Sequence, residues 1–210
     1  MASRLIVACD FDRTLFDTDK YAQTFVEQLS HDFGLDAVKF TAEFAQYSAG
    51  LEGYDLFAHT ATYGLSDKTV IQSLNTIDSL AYLYDDAIPF IGWLEAQKGL
   101  EAFVVTTGYT NFQTLKTTGL HQQFPQLPIH IIGLNKGQWL AEQWTQPNSP
   151  PAILIDDNLV NLEPLVDHSA IKPIHIQRLD TKYTSHNRHI LSVTNLSDMR
   201  DTISKITLHS

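Results

Sequence analysis

A chain of 210 residues, 43% hydrophobic and 10% aromatic, is long enough for one sizeable core, or for one core with a small satellite. Its 24 acidic residues against 14 basic ones leave a net charge of −10, which disfavours nucleic acid and anionic membranes as partners. The single Cys9 rules out an intramolecular disulfide and suits a reducing, cytoplasmic setting. No apolar run approaches about 18 residues, and no basic region precedes an apolar stretch near Met1, so neither a transmembrane helix nor a secretory signal is expected.

Leu5-Ile6-Val7-Ala8-Cys9 reads as a short buried strand. Asp10-Phe11-Asp12-Arg13-Thr14 follows it, placing two carboxylates beyond the end of the strand where an open α/β sheet binds ligands. Alternate strand residues point the same way, so Asp10 and Asp12 can address one volume while Phe11 turns back into the protein. Two anions this close repel unless a cation or a shared proton holds them. A hard metal is the expected partner.

From residue 16 to residue 88 the texture is helical. Tyr21, Phe25, Leu29 and Phe33 recur every four residues, with Gly34 placed to end the helix in a left-handed conformation. Val38, Ala42, Ala45 and Ala49 suggest a second helix ending at Gly50, and Tyr54 to Tyr63 a shorter third one stopped by Gly64. Ser66 or Asp67 can cap a fourth, with Val70, Leu74, Ile77, Ala81 and Tyr84 as its apolar stripe. The aromatic residues suit the core of this small bundle better than a ligand cage. The segment holds 12 acidic residues against Lys20, Lys39 and Lys68, which is first of all a solvated acidic face.

From Pro89 the pattern alternates between helix and strand. Pro89 suits the first turn of a helix through Lys98, closed by Gly99. Glu101 to Thr106 is a strand, and a helix from about Asn111 to Thr118 should end at Gly119. Ile129 to Ile132 is a short strand, Lys136 to Trp144 a helix, and Gln146 to Pro151 a turn. Ala152 to Ile155 is a clear strand that delivers Asp156-Asp157-Asn158. Ile171 to Gln177 reads as another strand and Ser197 to Ile206 as the last helix. Such alternation predicts an α/β fold with a doubly wound parallel sheet.

A parallel sheet brings Asp10 and Asp12, Thr106, and Asp156 with Asp157 to one edge. Carboxylates with a hydroxyl make an oxygen-only site that suits Mg²⁺ better than Zn²⁺. No Cys/His spacing suggests zinc, and neither a P-loop nor a dinucleotide fingerprint is present. With Mg²⁺ bound, Asp10 could attack phosphorus and Asp12 could move the protons.

These residues resemble the motifs of the haloacid dehalogenase-like (HAD) superfamily of phosphotransferases. Asp10-Phe11-Asp12-Arg13-Thr14-Leu15 is similar to its first motif, in which the first Asp is the nucleophile and the second the general acid/base. Thr106-Thr107-Gly108 resembles the second, whose Thr hydroxyl and following N–H bind phosphate. Asp156-Asp157, with Asn161 beyond, resembles the fourth, which completes the Mg²⁺ site together with Asp10 and the Asp12 carbonyl. Lys136 is the best match to the motif III lysine that neutralises nucleophile and phosphate. The resemblance implies a Rossmann-like HAD core of residues 1–15 and 89–210, with an all-helical cap of C1 type over residues 16–88.

It also implies a cytoplasmic, Mg²⁺-dependent phosphatase of small phosphorylated metabolites. A phosphomutase, or another phosphotransferase, would share every motif. A haloacid dehalogenase would need neither Mg²⁺ nor Asp12, and a non-catalytic binding protein would not need Asp10. With three basic residues in the cap, bisphosphates should be poor substrates.

Other polar residues read as structural. Arg13 stands where the family more often has a small or polar residue, and it should fold back on acidic neighbours such as Asp17 in preference to reaching substrate or cap. Asp17 and Asp19 suit helix caps, and Trp93, Trp139 and Trp144 suit helix packing. Lys116 reads as exposed in mid-helix, Arg178 and Arg188 as surface charges, and the nine histidines as surface or structural.

Overall fold

The computed structural model describes residues 4–48, 53–133, 135–144, 149–178 and 187–208. β1 (Leu5–Asp10) is buried at every position, as an apolar run in the middle of a sheet should be. It pairs in parallel with β2 (Leu100–Thr107) on one side and β4 (Ala152–Asp156) on the other. With β3 (Ile129–Ile132), β5 (Ile171–Ile176) and β6 (Leu191–Val193), these form a six-stranded parallel sheet ordered β3-β2-β1-β4-β5-β6. The chain winds outward from β1 to β3 and then returns to the other side for β4. That reversal opens a crevice beyond the carboxyl ends of β1 and β4. The expected doubly wound α/β architecture is the one the chain adopts.

Between β1 and β2 the first element is α1 (Thr18–Phe33), opened by Asp17, whose carboxylate accepts from Lys20 N–H at 2.9 Å. It closes as expected at Gly34, where φ is 69°. α2 (Ala37–Ala42) is shorter than its periodicity predicts and passes into a 3₁₀ turn, Phe44–Tyr47. That turn seats Phe44 against Phe25 and Tyr54 in place of continuing the alanine stripe. Ala49 and Gly50, the expected end of that helix, lie outside the described residues, as do Gln146, Pro147 and Asn148 of the later turn.

α3 (Leu56–Ala61) is followed by α4 (Asp67–Leu74), which Ser66 caps. The stripe from Val70 to Tyr84 predicts one long helix, but α4 stops at Leu74. Thr76 bonds back to the Ser73 carbonyl at 2.7 Å, and Asp78 caps a separate 3₁₀ turn, Ser79–Tyr82. Local side-chain bonds to the backbone here outcompete helix continuation.

α5 (Ala87–Ala96), α6 (Thr110–Gln123), α7 (Lys136–Gln143), α8 (Leu159–Leu162) and α9 (Leu196–Leu208) flank the sheet. Ile6, Ala8 and Leu154 on one face of the sheet meet Leu140 of α7 and Leu162 of α8. Val7, Cys9 and Ile153 on the other meet Leu94 of α5, Leu120 of α6 and Met199 of α9. Burial, and then the neighbouring Asp10 charge, push the Cys9 thiol up, which keeps it protonated and inert. No helix among the described residues is long and apolar enough to cross a membrane.

Arg178 is buried, not a surface charge: it donates to Asp86 at 2.8 Å and to the Thr14 carbonyl at 2.6 Å, and lies over the Tyr84 ring. It therefore braces the loop after β1 against the start of α5; Arg188 is exposed. Gly119 does not end α6. The helix continues because Gly119 lets it pack directly on the main chain of Leu80, while the Gly119 N–H donates to Ser79 Oγ at 2.8 Å.

A Cβ at Gly119 would overlap the Leu80 backbone. Alanine adds about 1 kcal/mol of helix propensity, whereas overpacking costs about 1–3 kcal/mol. Gly119→Ala is therefore expected to lower the thermal midpoint. A midpoint that stays level or rises would mean that the contact between α6 and the turn yields freely.

Candidate active site

The loop after β1 is shaped by hydrogen bonding around one carbonyl. The N–H groups of Thr14, Leu15 and Phe16 all reach Phe11 O, at 3.3, 2.9 and 3.0 Å. Closing this turn puts Arg13 at φ 57°, a left-handed conformation uncommon for a side chain of its size. Phe11 is buried as expected and stacks on Phe16 with centroids 4.8 Å apart. Asp10 and Asp12 emerge on the cavity side, in two different environments.

Asp10 is fully buried at the end of β1. It accepts from Lys136 Nζ at 2.5 Å and from Thr14 Oγ1 at 2.8 Å. Asp156 and Asp157, at the end of β4, complete a cluster in which one carboxylate oxygen from each residue lies within 4.8 Å of the others. Asp156 is saturated by the protein, accepting from Asn158 N–H at 2.8 Å, from Asn161 Nδ2 at 3.1 Å, and facing Lys136 at 3.1 Å. Asp157 is the more open of the pair. Burial, and then the charge of Asp156, raise its carboxyl to about 7 against the opposing pull of Lys136 and Arg13. Asp10 is likewise pushed well up, mainly by burial, with Lys136 opposing and Asp156 and Asp157 adding to it.

Lys136 is placed by three neighbouring contacts. Asn135 caps α7 and donates to Val160 O at 2.9 Å, Lys136 N–H donates to Asn161 Oδ1 at 3.3 Å, and Gly137 sits directly on the Asn161 carbonyl. Burial works against the Lys136 ammonium, but Asp10 and Asp156 outweigh it and hold the charge firmly. Three carboxylates against one ammonium still leave an excess of negative charge. An all-oxygen set of this kind fits a hard dication such as Mg²⁺.

Asp12 separates from this cluster, although the motif reading groups all four aspartates. Its carboxylate accepts from four donors: Lys116 Nζ at 2.5 Å, Thr18 Oγ1 at 2.6 Å, Gln113 Nε2 at 3.1 Å and Thr106 Oγ1 at 3.3 Å. Burial alone would raise it; Lys116, Thr18 and Gln113 prevail and lower it to about 2. Of the expected phosphate ligands, Thr106 is buried against Asp12, while Thr107 lines the cavity and its carbonyl accepts from Gln113. Arg13 pairs with Asp19, not Asp17, at 2.7 and 3.1 Å.

Lys116 is therefore a correction: it is 4% exposed and belongs to the site. Spacing held the signal, since Phe112, Gln113, Leu115 and Lys116 share the buried side of α6. A lone lysine in mid-helix is ordinarily solvated, and its burial here depends on the Asp12 carboxylate that the loop after β1 brings to it.

No protein-family model matches the sequence, and comparison with curated protein sequences finds no match. Solved structures do match. A haloacid dehalogenase-like hydrolase from Burkholderia xenovorans aligns over 97% of this chain and 98% of its own, at 16% identity and a TM-score of 0.75. A HAD-hydrolase from Bacillus subtilis bound to magnesium aligns over 96% and 99%, at 16% identity and a TM-score of 0.64. The fold is that of the HAD superfamily. An L-2-haloacid dehalogenase from Xanthobacter autotrophicus shares it over 95% and 98% of the two chains, at 12% identity and a TM-score of 0.58. The shared fold thus spans nearly the whole chain, among proteins named as hydrolases and as a dehalogenase.

The folded Asp157 carboxyl, near 7, binds a proton more tightly than its unfolded counterpart, near 3.9. Stability of the metal-free protein therefore falls as pH rises from about 4 to about 7. Mg²⁺ should raise the thermal midpoint more at about pH 8 than at about pH 5, and Asp157→Asn should remove that gain. The Asp12 shift has the opposite sign, and its stabilising share is lost only below about pH 4. Separately, Lys116→Met should cost about 3 kcal/mol or more in urea unfolding, because it strips the cation from a largely buried pair. An exposed lysine would cost within about 0.5 kcal/mol.

Proposed function

We propose that this protein is a Mg²⁺-dependent phosphatase that hydrolyses a small phosphomonoester through an aspartyl phosphate on Asp10. The observation that carries the reading is the buried Asp10 carboxylate, held by Lys136 at 2.5 Å and clustered with Asp156 and Asp157 at the switch point of the sheet. The magnesium-bound structure of similar fold supports the same cation here. Asp10, Asp157 and the Asp12 carbonyl would hold Mg²⁺, with Asp156 mainly securing Lys136 beside them. The cation would neutralise the phosphate and the nucleophile together.

The chain's own groups then supply the rest. An Asp10 oxygen attacks phosphorus as the ester P–O bond breaks, and the leaving oxygen receives a proton through Asp12. Lys136, Thr106 and the Thr107 amide stabilise the equatorial oxygens, where charge gathers. Water then attacks the aspartyl phosphate and gives its proton to Asp12, releasing inorganic phosphate and restoring Asp10. Of these two jobs, the four donors around Asp12 favour the second, since each stabilises the carboxylate form. Residues 16–88 would act as a cap that excludes bulk water over the core of residues 1–15 and 89–210. We place the enzyme in the cytoplasm, with neither nucleic acid nor membrane as partner, on its acidic balance and its buried lone Cys9.

A panel of phosphomonoesters should release phosphate with Mg²⁺ and not in excess chelator. Asp10→Asn should lower kcat by about 10⁴-fold or more, as expected when a nucleophile is lost. Undiminished turnover in that variant would remove the covalent route.

A further inference from the structure

The carboxylates line a cavity of about 760 Å³ that is also lined by a group of mutually packed aromatic rings. Tyr21 and Phe25 come from α1, Phe44 from the following 3₁₀ turn, Tyr54 from the approach to α3, and Phe112 from α6. Phe25 lies nearly parallel to Phe44 and Tyr54, with interplanar angles of 20° and 18°, and Phe112 meets Phe25 edge-on at 5.6 Å. Tyr21, Phe25 and Phe112 form the buried backing, whereas Phe44 and Tyr54 are half-buried and present the accessible surface.

This aromatic lining is braced so that it offers ring surface. The Tyr54 hydroxyl lies 2.8 Å from His59 Nδ1, and His59 Nε2 lies 3.1 Å from Glu43. The His59 ring is clamped between Phe40 and Tyr47 at 4.0 and 4.3 Å. Tyr54's polar tip is thus turned into the helical segment. Leu159 and Val160 add apolar lining to the same cavity, and Val160 is 62% exposed.

Charge narrows the choice of ligand. Among the described residues, every lysine and arginine lining the cavity faces a carboxylate: Arg13 with Asp19, Lys116 with Asp12, and Lys136 with Asp10 and Asp156. A second anionic substituent on the ligand would meet cations already neutralised, beside surplus acid groups. A planar, uncharged ring would meet faces with which it can stack.

We propose that the group esterified to the phosphate is an uncharged aromatic ring lodged against Phe44 and Tyr54, making the substrate class aryl or arylmethyl phosphomonoesters. This rests on the phosphatase reading of the Asp10 site, and the test separates the two. Phenylphosphonate and methylphosphonate carry the same anionic head and have no ester bond to hydrolyse, so their dissociation constants in Mg²⁺ can be measured by calorimetry on the intact protein. Phenylphosphonate should bind at least tenfold more tightly, and Phe44→Ala should shrink that preference to under threefold. Equal affinities, or binding of neither, would overturn the proposal. Equal affinities alongside Mg²⁺-dependent turnover of aliphatic phosphates would leave the phosphatase reading standing. A phenyl preference without turnover of phenyl phosphate, or of any other phosphomonoester, would keep the aromatic subsite and remove the phosphatase.

Discussion

The structure is organised around a surplus of negative charge at the switch point of its sheet. Asp10, Asp156 and Asp157 converge there because β1 and β4 are adjacent parallel strands that end at the same level. Among the described residues Lys136 opposes the charge of both Asp10 and Asp157, yet burial and then the Asp156 charge still push both toward their neutral forms. A cluster of this kind costs stability in isolation. The sheet must therefore be stable enough to carry it, and its apolar, doubly covered strands serve that end.

Positioning Lys136 explains much of the surrounding architecture. Its ammonium reaches Asp10 only because α7 docks on α8 through Asn135, Gly137 and Asn161. The same Asn161 holds Asp156, so a single side chain orients both the cation and one of its anions. On the opposite side, Arg178 fastens the Thr14 carbonyl to Asp86. The turn carrying Asp10 and Asp12 is thereby fixed from two directions. Where the chain enters and leaves the helical segment, Asp17 N–H donates to Tyr82 O at 2.7 Å and Tyr84 N–H to Leu15 O at 2.9 Å. The two connections therefore cross as a hydrogen-bonded pair.

Asp10 and Asp12 illustrate how far spacing reaches. Their separation of two residues indicates a shared side of the strand, and both do face the cavity. Spacing does not reveal that Lys116 and Gln113, about a hundred residues later, draw Asp12 into a separate network. The two carboxylates consequently shift in opposite directions within three residues of chain. The helical aromatic residues show the same limit. Periodicity placed Tyr21 and Phe25 on one buried face, but a stripe looks identical whether it packs on a neighbour or borders a cavity.

Local chemistry in this chain was decisive wherever one strong signal acted over a few residues. Unbroken apolar runs marked β1 and β4, Gly34 ended α1, Ser66 opened α4, and clustered aspartates marked the strand ends. Those signals suffice for an α/β fold and an oxygen-rich site. They fail where distant segments compete with local preference. Gly119 is a helix stop by propensity, yet becomes a packing notch once Leu80 arrives; Arg178 and Lys116 are surface residues by composition, yet are buried once carboxylates and carbonyls are brought to meet them. Burial multiplies the strength of such contacts, and burial is a property of the assembled chain. The pairing of charges, and the side of the cavity that is aromatic, were therefore settled only when the helical segment and the sheet came together.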